Sequence, residues 1–162
     1  MTSHATASVL TVEDDPIVRA DLRLILEDAG FDVVPDARDG VEAVELAREH
    51  RPDLILIDLN LPGLDGVEAT RQILSERAVP IVALTGYRTG IVERALEAGA
   101  VAHVLKPFDE NHLVGTITDV LAERADAQAE AEQRHHLIMI ESMARDGYSE
   151  RAIDARMRGL RR

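Results

Sequence analysis

The sequence contains no cysteine, and only 2% of its 162 residues are aromatic. The absence of cysteine excludes a disulfide framework, a zinc–thiolate site and a thiol nucleophile. Because aromatic residues are scarce, a core must be built from Leu, Ile, Val and Ala. Hydrophobic residues make up 46% of the chain, which is enough for one ordinary domain and a small appendage.

The sequence also lacks any apolar run near the roughly 18 residues that a transmembrane helix needs. Residues 1–8 are short and polar and do not resemble a signal peptide. We therefore expect a cytoplasmic protein with no membrane partner.

Basic residues are few in most of the chain. Residues 1–122 contain 22 acidic and 10 basic residues, whereas residues 123–162 contain eight of each. The net charge of −12 therefore belongs to the first part. Such an acidic domain repels nucleic acid and favours cations and basic protein surfaces as partners.

Short apolar runs alternate with amphipathic helical patterns through residues 7–122. The predicted strands cover 8–12, 31–34, 54–57, 81–85 and 101–105. The predicted helices cover 16–29, 41–50, 67–77 and 89–98, and a fifth begins near 109. This alternation predicts an α/β fold in which helices cover both faces of a doubly wound parallel sheet.

The third apolar run is bounded by an acidic residue. Residues 54–57 are followed directly by Asp58 and a Pro-Gly loop, which is typical of a strand buried on both faces. A carboxylate in this place lies where open α/β sheets bind ligands. The alternative, that Asp58 only begins a turn, is still open on this evidence alone.

Further polar residues follow the other strands. Asp14 and Asp15 come after the first strand, Thr85 ends the fourth, and Lys106 follows the fifth. With Asp58, these residues should converge at one edge of the sheet. Clustered carboxylates need a cation, and Mg²⁺ prefers such oxygen ligands. Lys106 is the single lysine among 18 basic residues, and a compact point charge suits a phosphoryl oxygen.

Residues 8–122 resemble the receiver domain of two-component response regulators. The matching features are Glu13-Asp14-Asp15, Asp58, Leu61-Pro62-Gly63-Leu64-Asp65-Gly66, Thr85 and Lys106-Pro107-Phe108. The resemblance implies a flavodoxin-like sheet of order 2-1-3-4-5. It also implies that Gly66 is structural and that Pro107 follows a cis peptide bond.

The resemblance further implies roles at the site. Asp58 would accept a phosphoryl group from the phosphohistidine of a kinase or phosphotransfer protein. Asp14, Asp15, Asp58 and the backbone carbonyl of Asn60 would bind Mg²⁺. Lys106 would pair with the phosphoryl group, and movement of Thr85 towards it would be the switch.

Two residues depart from the family pattern. His103 stands where the fifth strand usually carries Tyr or Phe, and Gly86 follows Thr85 where Ala is usual. Neither change threatens phosphorylation, but both put the usual aromatic readout in doubt. We expect His103 to take the place of the aromatic switch residue.

Two other functions compete with a phosphorylatable switch. A phosphohydrolase of the haloacid-dehalogenase type expects a second acid two residues after the nucleophile, where this chain has Asn60. A receiver that serves only as a scaffold would have lost an acid or the lysine. We therefore expect a signalling protein whose only chemistry is its own phosphorylation and dephosphorylation.

Residues 123–162 form a separate helical extension in this interpretation. The fifth helix either continues into it or breaks into a mobile helical linker, and a small hairpin follows with Gly147 in its turn and Ser149 as N-cap. One apolar face is predicted from Leu137, Ile140, Met143, Tyr148, Ile153, Met157 and Leu160. This face would dock on the receiver or on a second copy in a homodimer. The alternative is that residues 137–162 bind DNA as a minimal helix–turn–helix, since arginines enrich their end.

Overall fold

The computed structural model describes residues 6–86 and 90–159. Within them the elements are β1 (Ser8–Val12), α1 (Pro16–Asp28), β2 (Asp32–Val33), α2 (Gly40–His50), β3 (Leu54–Asp58), α3 (Gly66–Glu76), β4 (Ile81–Thr85), α4 (Ile91–Ala98), β5 (Ala102–Leu105), α5 (Glu110–Arg145) and α6 (Glu150–Gly159). Two predicted positions, the helix start at residue 89 and the apolar Leu160, lie outside the described residues.

The strands form one parallel sheet in the order β2-β1-β3-β4-β5. This order confirms the predicted doubly wound, flavodoxin-like fold. The register pairs Val12 with Ile57, Asp58 with Leu84, and Thr85 with Leu105. The carboxyl ends of four strands therefore share one edge of the sheet, where the predicted site residues lie.

Strand β3 is central, and all five of its residues are buried. Its side chains alternate between two clusters, because successive residues of a strand point to opposite faces. Ile55 and Ile57 join the cluster that contains α2 and α3 residues. Leu54 and Leu56 join the cluster that contains α1 and α5 residues. Helices on both faces explain why this segment is a continuous apolar run.

Strand β1 carries a buried hydroxyl that has no hydrogen-bond partner among the described residues, that of Thr11. We expect Thr11→Val to raise the free energy of unfolding by about 1 kcal/mol, because an unsatisfied buried polar group is removed without a change of shape. Urea unfolding measures this. Thr70 is the matched control, since it is equally buried and its Oγ1 donates to the Gly66 carbonyl at 2.7 Å. Thr70→Val should lower stability instead, and an equal response of both variants would contradict the prediction.

Four helices begin with an aspartate whose carboxylate accepts backbone N–H groups, Asp15 in α1, Asp39 in α2, Asp65 in α3 and Asp109 in α5. Such N-caps satisfy donors that have no partner within the helix. Helices α2 and α3 therefore begin at Gly40 and Gly66, one residue before the predicted starts. The Asp39-Gly40 pair is thus a capped helix start.

By its internal contacts the chain divides after Ala122 into two compact units. Helix α5 passes through this point without a break and has 36 residues. The fifth helix therefore continues into the extension, and of the two alternatives the broken linker is wrong. Among the described residues, no helix is long and apolar enough to cross a membrane.

The second unit has its own small apolar cluster, formed where α6 packs on the end of α5. Met143, Ile153 and Met157 are buried there, and Gly147 turns the chain between the helices with a φ of 84°. Leu137 and Tyr148 of the predicted apolar face are exposed and lie outside the cluster. The two helices thus bury one another's apolar residues within this unit.

Candidate functional site

Asp58 is the last residue of β3, and its side chain is only 5% exposed. One carboxylate oxygen, Oδ1, accepts a hydrogen bond from the backbone N–H of Asn60 at 2.9 Å. The other oxygen, Oδ2, accepts from Nζ of Lys106 at 2.9 Å. The carboxylate is therefore held in one orientation at the edge of the sheet.

Lys106 follows β5 and bridges two carboxylates. Its Nζ also donates to Oε2 of Glu13 at 2.6 Å. Burial alone would lower the pKa of Lys106, but hydrogen bonds to Glu13 and Asp58 outweigh that effect and hold its pKa above the ordinary value. The lysine therefore carries its positive charge into the cluster.

Glu13 is the residue that the sequence analysis missed at this site. Its side chain is 1% exposed, and burial raises its pKa above the ordinary value despite the opposing hydrogen bond from Lys106. Its Oε1 accepts the backbone N–H of Asp15 at 3.1 Å. A carboxylate so buried needs a cation beside it, and Lys106 supplies one.

Three carboxylates lie close enough to share a metal ion. Glu13, Asp14 and Asp58 each offer an oxygen, and these oxygens lie within 4.8 Å of one another. A set of hard carboxylate oxygens suits Mg²⁺. Asp15, which the resemblance predicted as a further ligand, lies outside this group of three, and its Oδ1 accepts the N–H groups of Ile17 and Val18.

The two predicted switch residues differ in their surroundings. Thr85 is fully buried, and its Oγ1 donates to the carbonyl of Gly86 at 2.9 Å. Its own carbonyl accepts the backbone N–H of Lys106 at 2.7 Å, which ties β4 to the lysine. His103 is exposed on β5. The Thr85 hydroxyl is thus engaged with its neighbour, while the imidazole faces solvent.

Backbone features hold the site residues in place. A Cβ at Gly66 would overlap the Asp58 carbonyl oxygen and would lie 2.7 Å from the Leu59 Cα, so α3 can start this close to β3 only with glycine. The Lys106–Pro107 peptide bond is cis, as the resemblance implied.

Comparison with known proteins gives the same family. The response regulator receiver domain family matches residues 9–118. The chain is 44% identical to the transcriptional regulatory protein PdtaR of Mycobacterium tuberculosis. The 110 aligned residues cover 67% of this chain and 54% of PdtaR. It is 39% identical to the DNA-binding response regulator MtrA of Mycolicibacterium smegmatis. The 123 aligned residues cover 75% of this chain and 54% of MtrA. The chain thus spans about half the length of these curated relatives.

Among solved structures, the fold matches the receiver domain of the sensor histidine kinase PA1611 from Pseudomonas aeruginosa PAO1, whose crystal structure has a magnesium ion coordinated in the active site cleft. The TM-score is 0.68 and the identity 36%, over 73% of this chain and 99% of that one. The fold, the acidic cluster with its lysine, and these matches lead to one conclusion. The chain belongs to the response regulator receiver domain family.

Proposed function

We propose that residues 7–122 accept a phosphoryl group on Asp58 from a histidine kinase or a histidine phosphotransfer protein. The observation that carries the proposal is the hydrogen bond between Lys106 Nζ and the buried Asp58 carboxylate, beside Glu13 and Asp14. In the reaction a carboxylate oxygen forms a bond to phosphorus, and the P–N bond of phosphohistidine breaks. The electron pair of that bond stays with the imidazole. Asp58 needs no general base, because the attacking group is a carboxylate oxygen.

The site residues favour this transfer by position and charge. Phosphoryl transfer depends on alignment and on charge stabilisation more than on covalent help from the protein. Asn60 N–H holds one oxygen of Asp58, which fixes the direction of the other. Lys106 lies within hydrogen-bond distance of the nucleophile, so it can pair with the oxygens of an incoming phosphoryl group.

Mg²⁺ is part of the proposal, because the carboxylate set fits it. Glu13, Asp14 and Asp58 would hold the ion, with the backbone carbonyl of Asn60 as a further ligand. We propose Glu13 in place of Asp15, whose carboxylate already caps α1. When bound, Mg²⁺ supplies the positive charge that lets an anionic phosphodonor approach this acidic edge.

The output is proposed to begin at Thr85 and His103. The buried Thr85 hydroxyl would exchange the Gly86 carbonyl for a phosphoryl oxygen. This movement would free space into which the exposed His103 could turn. The change would then be read through protein–protein contacts or through the helical extension, residues 123–162. A homodimer or a DNA complex of residues 137–162 would be alternative forms of that output.

The direct test is phosphoryl uptake by the full chain. Acetyl phosphate with MgCl₂ should add one phosphoryl group, measured by intact mass, and chelation of Mg²⁺ should stop the addition. Uptake that proceeds equally well without any divalent cation would contradict the proposed role of the carboxylate cluster.

An exposed apolar residue beside the cluster predicts where a protein phosphodonor docks. Ile17 lies in the first turn of α1, next to the acidic residues, and is 79% exposed. We expect Ile17→Arg to slow transfer from a phosphorylated histidine phosphotransfer domain by about tenfold, because a buried anchor typically contributes more than 1 kcal/mol. Radiolabel transfer measures the rate. Uptake from acetyl phosphate should not change, since this donor needs no docking surface.

The control for docking is Leu96, which is also exposed but lies on α4. Leu96→Arg should leave transfer from the phosphotransfer domain at the wild-type rate. If Ile17→Arg slows both donors equally, the residue affects the site itself, and the docking prediction is wrong.

A further inference from the structure

Residues 36–40 run from the loop after β2 to the first residue of α2 and contact two parts of the site, the main chain of Glu13 and the loop that follows Asp58. At the near end, the backbone N–H of Ala37 donates to the Thr11 carbonyl at 2.9 Å, and the Ala37 carbonyl accepts the N–H of Glu13 at 3.0 Å. Asp36 pairs with Arg19 at 2.9 Å, and Arg19 donates to the Glu13 carbonyl at 2.7 Å. This end of the segment therefore fixes the main chain that carries Glu13.

At the far end, Gly40 contacts the loop that follows Asp58. A Cβ built on Gly40 would overlap the carbonyl oxygen of Leu64 and would lie 3.0 Å from that residue's carbonyl carbon and Cβ. The obstacle is backbone, so no side chain can turn away to make room. The loop and α2 can approach this closely only because residue 40 is glycine.

Each side of this contact is held by a hydrogen bond, and the bond on the α2 side is the shorter of the two. The α2 start is capped by Asp39, whose carboxylate accepts the N–H of Glu42 at 2.8 Å. The loop is closed by the bond from Gly66 N–H to the Leu59 carbonyl at 3.2 Å. An added methyl group at Gly40 would therefore displace the loop between residues 59 and 65, which carries Asn60.

We propose that Gly40 is a positioning residue that sets the distance between the Glu13 main chain and the loop carrying Asn60. It acts through Leu64 and does not touch the reacting atoms. This inference rests on the proposed function, because it assigns Gly40 a purpose in binding a divalent cation at Glu13, Asp14 and Asp58. With the loop displaced, the Asn60 N–H would no longer hold the Asp58 carboxylate. The carboxylate oxygens of Glu13, Asp14 and Asp58 would then lie too far apart to share one ion.

The test is Mg²⁺ affinity of the full-length Gly40→Ala protein, measured by calorimetry with MgCl₂ alone. We expect affinity about tenfold weaker than that of the wild type, the size of effect seen when groups behind metal ligands are altered. The acetyl phosphate reaction should need correspondingly more Mg²⁺ to reach half its maximal rate. An affinity within about twofold of the wild type would overturn the proposal, since metal sites normally respond to such displacements.

Two controls separate position from stability. Gly115→Ala adds a methyl group where nothing lies within 4 Å, so Mg²⁺ affinity should not change. Ile73→Val lowers stability by shortening a buried side chain in the core cluster that contains α2 and α3 residues. It should also leave Mg²⁺ affinity unchanged. A weaker affinity in Ile73→Val equal to that in Gly40→Ala would show that loss of stability alone explains the effect.

A wild-type measurement covers the case in which Gly40→Ala does not fold. In an NMR titration with MgCl₂, the amides of Gly40 and Leu64 should shift with the same midpoint as Asn60, while Gly115 stays unchanged. Absence of any shift at Gly40 and Leu64 would overturn the proposal. A wild type that binds Mg²⁺ but takes up no phosphoryl group would instead contradict the proposed function and leave the positioning role standing.

Discussion

Replacing Asp58 with Asn should abolish phosphoryl uptake from acetyl phosphate and from protein donors. The amide has no anionic oxygen to attack phosphorus, and no other carboxylate of the cluster is so placed that it accepts both Lys106 Nζ and the Asn60 N–H. Of the residues described, only Asp58 combines these two bonds. Intact mass after incubation with acetyl phosphate and MgCl₂ should show only unmodified protein.

The control for this loss is the same substitution at the opposite end of the same strand. Asp53 precedes β3, is exposed, and accepts hydrogen bonds from Ser8. Asp53→Asn should be phosphorylated like the wild type. If Asp58→Asn gains a phosphoryl group at the wild-type rate, the acceptor lies elsewhere and the site assignment is wrong.

The acidic triplet Glu13-Asp14-Asp15 shows what sequence spacing leaves undetermined. Three consecutive acids follow β1, and spacing alone does not say which two face the site. The structure assigns Glu13 and Asp14 to the cluster. A signal was present in the sequence, because an Asp directly before a Pro at the first helical position is a typical N-cap. That reasoning would have removed Asp15 from the ligands.

The sheet was the part most open to prediction. Strands β1 and β4 have the predicted bounds, since short apolar runs ended by polar residues leave little ambiguity. Strand β2 has only two residues, Asp32–Val33, because it is an edge strand with few partners and its alternation is weak. The strand order came from the family resemblance and not from the residues themselves.

The loop contact at Gly40 could not be predicted from local sequence. The pair Asp39-Gly40 is equally typical of a turn and of a capped helix start. The two cases are distinguished by the carbonyl of Leu64, which is distant from Gly40 in sequence. The order of the strands in the sheet brings the two residues together. The burial of individual residues in the extension was equally out of reach, since the packing of α6 leaves Leu137 and Tyr148 of the predicted apolar face exposed.

Lys106→Met should lower the free energy of unfolding by about 2 kcal/mol, because it leaves two buried carboxylates without their shared cation. Glu13 and Asp58 are 1% and 5% exposed, so water cannot replace the ammonium group. The variant's cluster is also more negative, and a dication should stabilise it more than the wild type. Urea unfolding with and without MgCl₂ measures both effects.

Arg48 provides the comparison for Lys106→Met. It also donates two hydrogen bonds to carboxylate oxygens, but it lies at the surface. Its Nε and Nη2 donate to Glu76 at 2.9 and 2.6 Å, and the two side chains are 60% and 42% exposed. Arg48→Met should cost much less stability than Lys106→Met, because exposed ion pairs contribute little, and its stability should not respond to MgCl₂. If the two variants lose equal stability, or if MgCl₂ fails to restore Lys106→Met, the lysine does not balance a buried acidic site. Its bonds to Glu13 and Asp58 would then contribute as little as a surface ion pair, and another group would have to balance the charge of the two carboxylates.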